Sequence, residues 1–185
     1  KLLAHMNQMT WDRYADIAYD NARKNFDFLS HGQSLAALRG QRIGEGDTAI
    51  VVAASPSIKR KDPAALIKEF SYDGAIVVAE SAIAYCLRNG IVPDLAVTID
   101  PGQGRTVRWL GDPTLTEERL RDDDYFARQD QDDAFADELR ANEQIINLLE
   151  RHGKDIRIAL STMADESLVR RIIDVGMDIY WFNPM

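Results

Sequence analysis

The stretch Thr48-Ala-Ile-Val-Val-Ala-Ala-Ser-Pro-Ser57 decides the fold. Its small and β-branched apolar residues form a run too short for a helix, bounded by turn-forming residues, and read as a buried strand from Ala49 to Ala54. Gly44-Glu45-Gly46-Asp47 turns the chain into it, and Ser55-Pro56-Ser57 turns the chain out. A strand that empties into a hydroxyl-bearing loop is how many phosphate-gripping loops begin, yet this one holds no glycine.

Four similar runs follow. Ala75–Ala79, Leu95–Ile99, Ile156–Leu160 and Asp178–Phe182 read as strands, and amphipathic stretches at 63–70, 81–89, 135–152 and 165–175 read as helices between them. Asp62-Pro63 marks one helix start, with Asp62 as N-cap and Pro63 in the first helical position. Asp94, after Pro93, reads as an Asx-type turn into the third strand. Strands alternating with helices imply an α/β fold, a Rossmann-like parallel sheet with helices on both faces. Residues 1–46 read as an N-terminal helical segment, in which Trp11, Tyr14, Ile17, Ala18, Ala22 and Phe26 recur at near-helical spacing up to a break near Ser30-His31-Gly32. The Rossmann-like domain takes 47–185. Between Pro101 and Asp133 the pattern lapses into a long excursion with short helical pieces.

A parallel sheet puts the carboxyl end of every strand on one rim, where open α/β sheets bind their ligands. The residues expected there are Ser55, Pro56 and Ser57 after the first strand, Glu80 and Ser81 after the second, and Asp100 after the third. Ser161-Thr162 and Asn183 follow the fourth and fifth. Backbone N–H groups with the Ser55 and Ser57 hydroxyls suit an anion, while Pro56 stiffens the loop and removes one donor. Glu80 and Asp100 suit ribose hydroxyls or a hard cation; the plain alternatives are a Ser81 helix cap beside Glu80 and a turn at Asp100-Pro101. Lys59-Arg60-Lys61 reads equally as a ligand contact or a solvated helix approach. In the acidic loop from Asp122 to Asp130, Tyr125, Phe126 and Arg128 fit either a lid over a ligand or pins to the core.

Composition narrows the classes. The 185 residues are 45% apolar, enough for a core, and acidic residues outnumber basic ones 30 to 22 for a net charge of −8, which disfavours nucleic acid as a partner. The single Cys86 excludes an intrachain disulfide and, inside an apolar helical pattern, reads as an inert core thiol. No ligand-spaced Cys/His group, membrane span or signal segment is legible, so a cytoplasmic location is expected. A first residue other than methionine and an ending on Asn183-Pro184-Met185 read as the N-terminal portion of a longer protein.

Three segments in order, Ala49-Ile-Val-Val-Ala-Ala-Ser-Pro-Ser-Ile58, Ile76-Val-Val-Ala-Glu-Ser-Ala-Ile83 and Gly90-Ile-Val-Pro-Asp-Leu-Ala-Val-Thr-Ile-Asp-Pro101, resemble a known family. It is the domain shared by motility-associated flagellin glycosyltransferases (Maf proteins) and the archaeal 6-hydroxymethylpterin diphosphokinase MptE. The upstream Trp11, Asn21 and Asn25 are similar to the segment preceding the domain in the glycosyltransferase branch. More distantly the order resembles bacterial sialyltransferases that use a cytidine nucleotide. Here Ala54 and Ser55 replace the family's glycine-containing turn.

The resemblance implies a nucleotide-binding transferase that moves a nonulosonic acid from a CMP-sugar to a protein or glycan hydroxyl, with flagellin among the acceptors and no cofactor. Ser55 and Ser57 then lie beside phosphate or ribose, and Glu80 and Asp100 near the nucleotide and donor sugar. The alternative it implies is a diphosphokinase using ATP and Mg²⁺, with Asp100 and Glu80 holding the metal. A third reading, from the missing glycine turn, is a non-catalytic assembly module.

Overall fold

The computed structural model describes residues 2–55, 57–102, 106–122 and 132–184. The five apolar runs become β2 (Ala49–Val52), β3 (Ala75–Ala79), β4 (Leu95–Thr98), β5 (Arg157–Ser161) and β6 (Asp178–Phe182). With a sixth strand, β1 (Gly32–Ser34), all pair in parallel in one sheet of order β1-β6-β5-β4-β3-β2. The expected Rossmann-like α/β class is therefore what forms, with helix α1 (Leu2–Asn25) leading the chain.

The strand the sequence did not announce is β1 (Gly32–Ser34), which lies in the expected helix break and pairs with β6, Gly32 opposite Ile179 and Ser34 opposite Trp181. A Cβ on Gly32 would stand 2.6 Å from the Ile179 carbonyl oxygen, so glycine is what lets this backbone approach. From β2 to β6 every connection steps to the adjacent strand in one direction. The link from β1 to β2 alone runs back across the full width of the sheet.

One face of the sheet carries the core across β2 to β6. Val52, Val78, Ala96, Leu160 and Trp181 pack there with Ile83, Leu110, Leu149, Leu168 and Ile172. These helical residues come from α4 (Glu80–Arg88), α6 (Asp132–His152), α7 (Glu166–Asp174) and the 3-10 turn Thr106–Leu110. On the other face Ala159 and Tyr180 are buried, whereas Val51 and Ile99 stay exposed toward the β2 edge.

The excursion after β4 belongs to this core as far as it is described. Its 3-10 turn packs on α4, α6 and α7, and α5 (Glu117–Arg121) contributes a fully buried Leu120. Asp112 fixes it from within: its amide donates to Asn142 Oδ1 (2.8 Å), its carbonyl accepts from Asn142 Nδ2 (2.8 Å), and its carboxylate accepts from Thr114 and Arg119. Apart from Asp122, the C-cap of α5, the acidic loop with Tyr125, Phe126 and Arg128 lies outside the described residues. No helix among the described residues is long and apolar enough to cross a membrane.

An expected cap and an expected turn are built differently. Asp62 does stand between α2 (Ile58–Lys61) and α3 (Pro63–Glu69), but in a left-handed conformation (φ 38°) and with no side-chain bond to the helix. Its carboxylate accepts from the Tyr85 hydroxyl (2.7 Å), and that hydroxyl accepts the Ala64 N–H (3.0 Å), so a side chain of α4 caps α3. Asp94 makes no turn of its own. Its carboxylate accepts the Ile76 N–H (2.8 Å) while its amide donates to the Ile76 carbonyl (3.0 Å), which extends the β3–β4 ladder by one side chain. Asp94→Ala strands a buried donor. The expected outcome is a loss of about 1–3 kcal/mol in urea unfolding with an unchanged slope, and Asp94→Asn retains most of it.

Candidate functional site

Because all six strands run the same way, their carboxyl ends form one rim, and the polar residues singled out in sequence lie along it. Ser55 and Ser57 leave β2, Glu80 leaves β3, Asp100 follows β4, Ser161 and Thr162 end β5, and Asn183 follows β6. With parallel strands about 4.8 Å apart, the serine loop lies roughly 5 Å along the rim from Glu80 and roughly 10 Å from Asp100.

The serine loop is closed on itself. Ser57 N–H donates to Ser55 Oγ (3.0 Å), the two hydroxyls share a 2.6 Å hydrogen bond, and Ile58 N–H donates to the Ser55 carbonyl (3.0 Å). Ser57 leads directly into α2, and Ser55 is exposed. Pro56 lies outside the described residues. An anion binding here must exchange the hydroxyl–hydroxyl bond for its own. Arg60 and Lys61, both exposed on α2, supply nearby positive charge.

Glu80 and Asp100 do come together. Ala79 pairs with Val97, so Glu80 falls beside Thr98, with Asp100 two residues further on. Burial pushes the Glu80 carboxyl above the usual glutamate range, its own main-chain amide and the Thr98 hydroxyl pull it back, and the Asp100 charge adds to the rise. Asp100 accepts the Gly102 N–H at 2.8 Å. Ser81 does not cap α4; the cap position is Ala79, which leaves Glu80 first and Ser81 second in the helix.

Two hydroxyls that sequence reasoning passed over belong to this cluster. Thr98 is fully buried, near enough to Glu80 to bias its proton but without a hydrogen bond of standard geometry. Thr106, 2% exposed, also has no partner for its hydroxyl among the described residues, and a Cβ on Gly102 would touch its methyl at 3.0 Å and the Asp100 carboxylate at 3.2 Å. A polar residue inside an apolar strand was the available signal for Thr98. Thr106 had none, because its nearness depends on how the excursion folds back.

The loops behind the carboxylates are held by α1. Asn21 Nδ2 donates to the carbonyls of Pro101 (3.1 Å) and Met163 (3.0 Å), and Asn25 Nδ2 donates to those of Thr162 (2.9 Å) and Ala164 (2.7 Å). Cys86 is buried, its thiol pushed up to about 11 by desolvation, which suits a core residue and not a nucleophile. No group of three or more His, Cys, Asp or Glu side chains that could hold a metal occurs among the described residues.

Fold and rim together define an α/β domain of the Rossmann-like class with its polar groups gathered at the carboxyl ends of the strands. The sequence model of the family described as 6-hydroxymethylpterin diphosphokinase MptE-like matches residues 20–109, a stretch that runs from Asn21 on α1 through the serine loop, Glu80 and Asp100 to Thr106. Over that stretch the chain is similar to the family. No curated protein matches the chain.

Folding makes the Glu80 proton harder to remove, so stability falls as pH rises from the ordinary glutamate range through the raised value. Glu80→Gln keeps the shape and drops the charge. It is expected to melt higher than the parent at pH 7, with the difference closing below about pH 4, as read by calorimetry across that range.

Proposed function

We propose that the carboxyl rim of β2–β4 is the nucleotide site of a transferase-type domain. The observation that carries this reading is the adjacency of Glu80 and Asp100 on neighbouring strand ends, one strand from a hydroxyl-bearing loop, within the MptE-like stretch. In this reading Ser55 and Ser57 hold phosphate by hydroxyl and backbone donors, helped by Arg60 and Lys61, and the carboxylates bind the groups next to it.

Two chemistries fit, each favoured by its own observation. Transfer of a nonulosonic acid from a CMP-sugar to a protein or glycan hydroxyl, flagellin included, is favoured by the upstream Trp11, Asn21 and Asn25, which are similar to the segment preceding the domain in the glycosyltransferase branch. There Glu80 and Asp100 accept hydrogen bonds from ribose hydroxyls, and the rim orients the donor. Diphosphoryl transfer from ATP to a pterin alcohol is favoured by the family's description and by the charge state of the pair: a cation relieves the repulsion that helps raise Glu80. Two carboxylates suffice for Mg²⁺, which fills its other positions with phosphate oxygens and water. The residues present thus fit the ion, with Asp100 and Glu80 as its holders, and the chemistry it would supply is neutralisation of phosphate charge.

Calorimetric titration with CMP, CTP and ATP, each with and without Mg²⁺, tests the proposal. A nucleotide is expected to bind, with Ser57→Ala and Asp100→Ala each weakening it by about 1–3 kcal/mol while leaving the fold intact. Metal-independent CMP binding supports glycosyl transfer, and Mg²⁺-dependent ATP binding supports the diphosphokinase. Silence from all three, or affinity untouched by both substitutions, overturns the site and leaves the non-catalytic assembly module.

A further inference from the structure

The serine loop and the carboxylates leave the far end of the same rim unused. There, between β6 and β1, the direction of strand-to-strand stepping reverses, and open α/β sheets gather ligands at such reversals. A cavity of about 280 Å³ opens at that point, walled by Leu29, Gln33, Ser34, Thr162, Trp181 and Phe182 among others.

Its chemistry differs from that of the rest of the rim. No lining side chain carries a charge, although the chain as a whole stands at −8. The apolar surface comes from Leu29 and two aromatic residues, and the polar groups are neutral amides and hydroxyls. Trp181 is 6% exposed, and its indole N–H is buried with no hydrogen-bond partner among the described residues. A buried donor left unmatched is costly, and an acceptor on a ligand would satisfy it. The walls are held in place from behind: Thr162 N–H donates to the Phe182 carbonyl (2.9 Å), Asn25 grips the Thr162 carbonyl, and Ser34 Oγ accepts from Ala36 N–H (3.3 Å). The hollow is open to solvent, and its walls set apolar rings beside neutral hydrogen-bonding groups, the mixture that fixes a small molecule's orientation.

We propose that this cavity binds a second ligand, separate from the nucleotide: an uncharged ring compound with hydrogen-bonding groups on its edge. Distance assigns it to another molecule. At about 4.8 Å per strand, the cavity lies roughly 12 Å along the rim from Asp100 and roughly 20 Å from Ser55, too far for one mononucleotide to fill both places. That this ligand is the second substrate rests on the transferase reading; that the cavity takes a neutral ring does not.

Adenosine, a flat heteroaromatic compound, and N-acetylglucosamine, a neutral sugar, serve as probes. In a Trp11→Phe, Trp109→Phe variant, Trp181 is the remaining indole and reports directly on the cavity. The expected result is a saturable change in its emission with one of the probes, weakened about 3- to 10-fold by Gln33→Ala and by Thr162→Val. Saturating CMP or ATP leaves that response in place. No response to either probe overturns the proposal, as do binding that neither substitution weakens and displacement of the probe by CMP. Ser57→Ala separates the two sites, since it weakens the nucleotide and spares the ring compound. If the ring compound binds and no nucleotide does, the transferase reading fails and the cavity assignment stands.

Discussion

Two side-chain amides one helical turn apart hold four backbone carbonyls of the loops that follow β4 and β5. The rim depends on this arrangement. Loops leaving a parallel sheet carry carbonyl groups that no strand pairs, and burying them unpaired is costly. Asn21 and Asn25 lie on one face of α1 because they are four residues apart, and both are buried against these loops. α1 is in this way a brace for the end of the sheet that carries the candidate site. Beyond it β1 pairs with β6, so the N-terminal stretch supports the rim twice, by side chain and by backbone.

How much of this was legible depended on whether the information was local. β2 to β6 announce themselves because strands covered by helices need continuous apolar, β-branched residues, and helices between them force the parallel arrangement. Nothing in Gly32-Gln33-Ser34 marks a strand. Its pairing exists because Gly32 lets the backbone close on Ile179, a fact about a residue far away in the chain. Asp62 and Asp94 carry the right residue type for a cap and a turn, yet each bonds across to another element, Tyr85 in one case and Ile76 in the other. The strand-end rule brought Glu80 and Asp100 to the same place, but the hydroxyls of Thr98 and Thr106 beside them emerge only from strand register and from the packing of the excursion.

The rim's polarity changes along its length, and that gradient limits what can bind it. At the β2 end hydroxyls and the exposed Arg60 and Lys61 meet an anion without repulsion. At the β3 and β4 ends two carboxylates stand side by side, with burial and mutual repulsion raising Glu80 and its own amide and Thr98 only partly offsetting them. A bare phosphate placed there meets like charge in a partly desolvated site, so that segment accepts hydroxyl donors or a cation and turns phosphate back toward the serine loop. At the β6 and β1 end the described lining carries no charge, which suits a ligand held by shape and hydrogen bonding. On the proposed nucleotide reading, a ligand with its phosphate on the serine loop meets these demands in one direction only. The closed Ser55–Ser57 pair enters that balance, since any anion bound there exchanges a 2.6 Å bond that the loop makes with itself. On the same reading, affinity at the rim depends on that exchange and on how well the ligand satisfies Glu80 and Asp100.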